Sequence, residues 1–324
     1  MQNMNNKKLV SIVIPCVNEE KNIDRTIVAI IETFKTLDYD YEIIPVNDGS
    51  KDNTWGVIKE LSEKHPHIIG IDQMTNFGQS AAYQAGFDEA KGDYVLIVSA
   101  DLETPIEYLR KVLEYLENGY DFVNTNRTGR WGEGSDRAAK SGMANKIIKK
   151  ISGVEMKDRG SGMKGFTKML AKNLRFYGEM HRFIPDYASV YGAKMVEFDT
   201  PFNDREHGQS YYKGHKRTIK VLLDLLTLQF MLYFAKKPFT MLPGRLFGFT
   251  GFVITGLGGL IGVYLTVLKI LGQSIGSRPL FIAAVLMIIV GIQSMMMGML
   301  GELLLRIYFE STGRKTYAVR RTTR

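Results

Sequence analysis

Two long apolar stretches near the carboxyl end constrain the fold of this 324-residue chain more than any other feature. The first covers residues 246–271 and contains one charged residue, Lys269. The second covers residues 280–305 and is uncharged as far as Gly301. Each is longer than the roughly 20 residues that a helix needs to cross the hydrocarbon core of a bilayer. The sequence therefore predicts a hairpin of two transmembrane helices and an integral membrane protein.

The charged segments around these stretches predict how the chain meets the bilayer. Residues 306–324 are rich in arginine, so the positive-inside rule places this tail in the cytoplasm. Two spans then put the amino-terminal part on the same side. Residues 213–240 contain an apolar run, 218–234, which is broken by charges and flanked by cations. We expect an amphipathic helix that lies in the membrane interface, with a buried helix of the soluble domain as the alternative.

The amino-acid composition limits the kinds of binding partner and the cellular compartment to be expected. The net charge of +8 suits an anionic membrane surface or anionic substrates, and given the apolar stretches no nucleic acid is expected. The single cysteine, Cys16, excludes a disulfide within the chain and fits a reducing compartment.

Residues 1–212 have the pattern of a soluble α/β domain. Short apolar runs typical of buried strands occur at residues 9–14, 41–46, 68–71, 94–98 and 121–125. They alternate with helix-length segments of amphipathic spacing. This alternation predicts a mostly parallel sheet with helices on both faces.

The run Tyr94–Val98 is followed by two carboxylates, Asp101 and Glu103. Open α/β sheets bind ligands at the carboxyl ends of their strands. We expect an extended segment here, which would place both carboxylates on one side of the chain. Two hard oxygen ligands suit Mg²⁺ or Mn²⁺ shared with a diphosphate. A solvated acidic turn is the alternative.

Polar clusters also follow the other strands, namely Asn18 with Glu19, Asp48, and Asn76 with Gly78. Each cluster alone is typical of a helix cap, but four at one sheet edge indicate a single ligand site. The chain lacks the glycine fingerprint of dinucleotide-binding folds, the phosphate loop of nucleotide triphosphatases and any zinc spacing.

The order of these motifs resembles that of family 2 glycosyltransferases with the GT-A fold, and within them the polyprenyl-phosphate glycosyltransferases. The motifs that carry the resemblance are Pro15-x-x-Asn18-Glu19, Asp48-Gly49-Ser50-x-Asp52-x-Thr54, Asn76-x-Gly78 and Ala100-Asp101-Leu102-Glu103-x-Pro105. The resemblance implies that the nucleotide is bound by Pro15, Asn18, Glu19, Asp48, Asn76 and Ala100. It also implies that Asp101 and Glu103 hold the metal. Ser99 departs from the pattern because it stands where the first aspartate of the family's Asp-x-Asp-x-Gln run is usual, and Glu103 stands where glutamine is common.

A stretch dense in cations and glycine, residues 124–165, offers a place for the acceptor phosphate, although a solvated basic loop is the alternative. The resemblance implies that Arg127 and Arg137 face the phosphate of the acceptor lipid and that Asp158 is a carboxylate of the active site. Lys140 and Ser141 lie in the same stretch and are further candidates for phosphate contact. Arg205, Ser210 and Tyr212 match a family loop that covers the nucleotide diphosphate.

Together these features predict a membrane-anchored, metal-dependent, inverting glycosyltransferase. It would transfer a hexose from a nucleotide sugar, with UDP-hexose the first candidate, to polyprenyl (undecaprenyl) phosphate at the cytoplasmic face of a bacterial inner membrane. Two alternatives are a catalytically inactive nucleotide-sugar-binding scaffold and a polysaccharide synthase, although the Gln-x-x-Arg-Trp motif of the synthases is absent. Association into homo-oligomers is left open.

Overall fold

The computed structural model describes residues 7–129, 146, 148–150, 152–176, 180–203, 243–276 and 279–312. The chain divides into two compact units, Met1–Leu232 and Tyr233–Arg324. The predicted interfacial helix at residues 213–240 lies outside the described residues, as does most of the predicted tail, residues 313–324.

The described part of the first unit contains a seven-stranded sheet with the order β3-β2-β1-β4-β6-β5-β7. The strands are β1 (Leu9–Cys16), β2 (Asp40–Asn47), β3 (Ile71–Asp72), β4 (Tyr94–Val98), β5 (Phe122–Thr128), β6 (Met163–Thr167) and β7 (Met195–Pro201). All neighbouring pairs are parallel except those of β6, which runs antiparallel to both β4 and β5. The predicted, mostly parallel sheet is therefore confirmed.

Two strands were not expected from the sequence. The sequence of β6 is Met-Lys-Gly-Phe-Thr, in which a lysine and a glycine interrupt the apolar pattern. In β7 two acidic residues, Glu197 and Asp199, flank Phe198. The third predicted strand is also shorter than expected, because Ile68 forms only an isolated bridge with Ile43. Regular pairing there begins at Ile71.

Helices cover both faces of the sheet, as predicted. They are α1 (Ile23–Phe34), α2 (Thr54–Lys64), α3 (Gln79–Glu89), α4 (Leu109–Glu117), α5 (Lys168–Asn173) and α6 (Ile184–Val190). Buried side chains of α1, α2 and α4 form one hydrophobic cluster with the sheet. Side chains of α3, α5 and α6 form a second cluster with the alternate strand residues. The carboxyl ends of the parallel strands are where α/β sheets of this kind bind their ligands.

The second unit is a hairpin of two helices, α7 (Pro243–Ile270) and α8 (Pro279–Thr312). The helices approach closely at Gly251 and Gly291, since a Cβ on Gly251 would lie 2.5 Å from the carbonyl oxygen of Gly291. Leu246–Ile270 of α7 and Pro279–Gly301 of α8 are each long and apolar enough to cross a membrane. Within their most apolar parts, only 17% and 11% of the residues are buried. A core helix of a soluble protein would be mostly buried, so these helices indicate membrane anchoring.

Candidate active site

The loops that follow β1 and β2 are bound to each other. Asn18 adopts a left-handed backbone conformation (φ 56°), and its Oδ1 accepts a hydrogen bond from the Lys51 amide at 2.7 Å. Its own amide donates to Ser50 Oγ at 2.9 Å, and the Glu19 amide donates to Thr54 Oγ1 at 2.9 Å. The Pro-x-x-Asn-Glu and Asp-Gly-Ser motifs therefore form one structure, although they are far apart in the sequence.

Asp48 connects this structure to a third loop. Its side chain is buried, and its two carboxylate oxygens accept hydrogen bonds from the amides of Phe77 (2.7 Å) and Gly78 (3.0 Å). Gly49 has a positive φ of 63°, and a Cβ there would collide with the backbone of Asn76. The strand-end clusters thus meet at one edge, with Asp48 directed at backbone amides.

The loop after β4 differs from the expected extended segment. Leu102 has a positive φ of 52°, which turns the chain between the two carboxylates. Asp101 is half-buried and accepts a hydrogen bond from Ser99 Oγ on its Oδ1 (2.7 Å), whereas the buried Glu103 side chain pairs with Arg127. The predicted extended segment is therefore wrong, because the chain turns at Leu102.

Arg127, at the end of β5, is the most heavily bonded side chain of the site. Its guanidinium donates from Nε and Nη2 to Asp158 (2.7 and 3.0 Å), from Nη1 to Glu103, and from Nη2 to the Gly160 carbonyl oxygen (2.6 Å). The side chain is only 2% exposed. Burial alone disfavours its charge, but Asp158 and Glu103 outweigh burial, and the pKa of Arg127 is raised.

The expected contact of Arg127 with the acceptor phosphate stays a prediction. In the structure its guanidinium donates to two protein carboxylates. The physical reason is that Glu103 and Asp158 are themselves buried or nearly so, and each needs a cationic partner. Asp158 is in contact with Arg127, and its place in an active site stays a prediction.

The remaining predicted residues are distributed as follows. Pro15 lies in β1, Ala100 is buried with its carbonyl oxygen accepting from Thr26 Oγ1 (2.8 Å), and Asn76 is exposed. Several predictions lie outside the described residues: Arg137, Lys140, Ser141, Arg205, Ser210 and Tyr212. The amide of Asn203 donates to the Glu103 carbonyl oxygen at 2.9 Å, and Arg205 follows two residues later in the sequence.

A second buried ion pair was not identified from the sequence. Arg159 pairs with Asp186 of α6 through two hydrogen bonds of 3.1 Å and also donates to the carbonyl oxygens of Met156 and Val154. Both side chains are at most 5% exposed. The neighbouring residues Asp158 and Arg159 therefore attach the same loop to β5 and to α6. The partners are 27 residues apart, and no local pattern marks them.

Lys164 of β6 is a further buried residue that was not predicted from the sequence. It is fully buried, and its Nζ donates to the Ser161 carbonyl oxygen. Burial lowers the pKa of Lys164 from 10.5 to about 7, and the charge of Asp158 opposes this shift. The only signal in the sequence is a lysine inside a short segment that is otherwise largely apolar. This signal is too weak to assign a role to the residue.

Lys164 gives a prediction about pH and stability. Because its pKa is lower in the folded protein, the unfolded chain binds more protons between about pH 7 and 10.5, so stability rises with pH through that range. Lys164→Met removes this dependence. Between about pH 7 and pH 9.5, we expect the Tm of the parent protein to rise by several degrees relative to the Tm of the variant. A difference that does not change with pH would contradict the lowered pKa.

The donor set at Asp101 fits a divalent cation only in a site that substrate completes. Among the described residues, no group of three or more Asp, Glu, His or Cys side chains is arranged to hold a metal. Mg²⁺ is commonly bound by one or two carboxylates together with substrate phosphates. The half-buried carboxylate of Asp101, after a central strand, has this character. Glu103, the other predicted ligand, pairs with Arg127 through Oε2, and its role at a metal stays a prediction.

The mostly parallel sheet, with an acidic loop after its central strand and interlocked loops at the same edge, has the GT-A fold. Residues 11–175 match the profile described as "Glycosyl transferase family 2", and the chain belongs to that family. The structure of glucosyl-3-phosphoglycerate synthase from Mycobacterium tuberculosis, solved with Mn²⁺, uridine-diphosphate and phosphoglyceric acid, superposes with a TM-score of 0.52 at 14% identity. It covers 73% of this chain and 81% of that one, which supports the fold.

Curated relatives resemble the chain over almost its entire length. An undecaprenyl-phosphate 4-deoxy-4-formamido-L-arabinose transferase of Proteus mirabilis is 33% identical over 96% of this chain and 93% of its own. A dodecaprenyl-phosphate galacturonate synthase of Rhizobium johnstonii is 31% identical over 96% and 92%. The similarity extends beyond the catalytic domain and includes the apolar hairpin.

Proposed function

We propose that this protein transfers a sugar from a nucleotide sugar to a polyprenyl phosphate, with undecaprenyl phosphate as the acceptor and inversion at the anomeric carbon. The observation that carries the proposal is the combination of a GT-A-type site and an apolar hairpin in one chain. A polyprenyl chain cannot leave the bilayer, so its transferase must be held at the membrane. The names of the full-length relatives support the same acceptor class.

The donor would be bound by the interlocked loops. Those after β1 and β2 are held by Asn18 and Glu19, and the loop before α3 is held by Asp48. This edge is fixed by hydrogen bonds before substrate arrives, so little ordering is left for the binding step. The nucleotide would extend along it toward Asp101.

Asp101 would hold Mg²⁺ or Mn²⁺. When bound, the cation would offset the negative charge of the departing diphosphate. The Mn²⁺ named with the superposed synthase is consistent with this assignment. The chain's own residues do the rest. Ser99 fixes the carboxylate of Asp101, and Arg127 holds Glu103 and Asp158 in place. Asp158 accepts two hydrogen bonds from the Arg127 guanidinium, so we assign it a positioning role.

The acceptor needs no strong base. A phosphate monoester has its second pKa near 6, so one of its oxygens is anionic at neutral pH and can attack the anomeric carbon directly. Attack opposite the leaving diphosphate breaks the sugar–phosphate bond and inverts the configuration. The cations Arg137 and Lys140, with Ser141, would orient this phosphate, and Arg205, Ser210 and Tyr212 would close over the diphosphate.

We further propose that the catalytic domain and both termini lie in the cytoplasm of a bacterial cell and that the hairpin crosses the inner membrane. The basic residues of 306–324 support this orientation through the positive-inside rule. Nucleotide sugars made in the cytoplasm would then reach the site directly.

The test is a transfer assay with the full chain in detergent. Undecaprenyl phosphate, Mg²⁺ or Mn²⁺ and one nucleotide sugar at a time are incubated, and the lipid product is identified by its mass. UDP-hexoses come first in the panel, followed by GDP-mannose, UDP-N-acetylglucosamine and nucleotide forms of a uronic acid and a formamido-pentose. The last two are included because the relatives are named for two different sugars.

One new lipid-phosphate-sugar product that disappears with EDTA would support the reaction, the donor and the metal requirement together. A product that persists in EDTA would remove the metal from the proposal. Binding of a donor without product from any of them would overturn transfer and favour the inactive scaffold.

A further inference from the structure

Ser99 stands at the position where the family resemblance leads one to expect an aspartate. In the structure its hydroxyl donates to Asp101 Oδ1 at 2.7 Å. The Glu103 amide approaches the same oxygen at 3.4 Å. Both contacts fall on one oxygen of the carboxylate, which restricts the rotation of the Asp101 side chain.

Ser99 is in turn held by the loop that ends at Gly162. The Ser99 amide donates to the Gly162 carbonyl oxygen at 2.9 Å. A Cβ at Gly162 would collide with Ser99 Oγ and lie 2.7 Å from Ser99 Cβ. Glycine at 162 therefore provides the space that the Ser99 side chain occupies, and no larger residue fits without displacing the hydroxyl.

The Gly162 loop is itself fixed from the sheet. Arg127 donates to the carbonyl oxygen of Gly160, and Lys164 donates to that of Ser161. The contacts run from two buried basic side chains, Arg127 and Lys164, through the loop to Ser99 and then to Asp101. The same Arg127 binds Glu103, whose amide is near Asp101, so the contacts close into a ring.

We propose that Ser99 is a positioning residue that orients the Asp101 carboxylate for the divalent cation, and that Gly162 is required because it leaves room for Ser99. The inference rests on the proposed function, since the cation is the one that would bridge Asp101 and the donor diphosphate. Hydrogen bonds to a ligating carboxylate commonly alter metal affinity by about 10- to 100-fold. Ser99 would thus contribute orientation, whereas an aspartate would contribute a ligand.

The experiment measures Mn²⁺ binding by the electron paramagnetic resonance signal of the free ion, with the full chain in detergent, excess UDP and no lipid. Ser99→Ala is expected to weaken Mn²⁺ binding by about 10-fold or more, with an unchanged Tm. Ser189→Ala is the matched control, because its half-buried hydroxyl donates to the backbone carbonyl oxygen of Asp186 in α6 rather than to Asp101. It should leave the Mn²⁺ affinity unchanged.

Two further variants distinguish the space that Gly162 provides from the orientation that the Ser99 hydroxyl provides. Gly162→Ala should lower both Tm and Mn²⁺ affinity, because the added Cβ displaces Ser99. The double variant Ser99→Gly with Gly162→Ala removes the collision, so it should recover Tm but not Mn²⁺ affinity. Recovery of Mn²⁺ affinity in this double variant, or an unchanged affinity in Ser99→Ala, would overturn the role of the hydroxyl.

The outcome is distinguishable from failure of the proposed function. If the parent protein binds Mn²⁺ with UDP but transfers no sugar to lipid phosphate, the transfer proposal fails and the Ser99 comparison still holds. If the parent protein transfers sugar and Ser99→Ala binds Mn²⁺ normally, only the inference about Ser99 fails. If the parent protein does not bind Mn²⁺ with UDP, the inference fails, and the EDTA arm of the transfer assay independently reports on the reaction.

Discussion

Replacing Asp101 with asparagine is expected to lower the rate of sugar transfer by about 10³-fold while the fold is retained. Asparagine keeps an oxygen that can accept from Ser99 Oγ, so the loop geometry should persist. What is lost is the negative charge at the end of the central strand, and with it the affinity for the cation that offsets charge on the leaving diphosphate. The measurement is kcat/KM for the nucleotide sugar at saturating lipid phosphate.

Asp93 offers a matched control at the opposite end of the same strand. It precedes β4, is exposed, and accepts a hydrogen bond from the Leu9 amide. Asp93→Asn makes the same change in charge and should leave transfer within about twofold. If Asp101→Asn kept a tenth or more of the parent activity, Asp101 would not be the metal ligand on which the reaction depends.

The second large effect concerns stability. Arg127→Met is expected to lower the free energy of unfolding by about 3–5 kcal/mol, because it leaves Glu103 and Asp158 without their shared cation. The side chains of Glu103 and Asp158 are only 7% and 14% exposed, so water cannot replace the lost partner fully. The measurement is denaturant unfolding of the detergent-solubilised protein, followed by a probe in the first unit.

Arg175→Met is the control for this prediction. Arg175 pairs with Asp88 at 2.7 Å, but the two side chains are 48% and 58% exposed, so the loss should stay below about 1 kcal/mol. Arg127→Lys should fall between the two, since lysine keeps the charge but cannot donate to three groups in a planar fork. Equal losses for Arg127→Met and Arg175→Met would show that the buried pairs add nothing beyond a surface ion pair.

Much of the fold could be predicted from local patterns. The apolar runs of β1, β2 and β4 are buried on both faces of the sheet and therefore stand out in the sequence. The two apolar stretches marked the hairpin for the same reason, since composition over about 20 residues is enough to define a span. The position of Asp101 shortly after a buried strand was likewise sufficient to place it at the carboxyl edge of the sheet.

The sequence by itself thus determined the α/β class, the hairpin and the sheet edge at which the polar motifs gather, because these depend on periodicity and composition within short segments. Only the tertiary structure decided how the site is held together. The positive φ of Leu102 turned the chain between Asp101 and Glu103, and Arg127 was committed to carboxylates 24 and 31 residues away. The physical reason is that a buried charge selects its partner by distance in space and by exclusion of water, and neither is encoded in the spacing of residues along the chain.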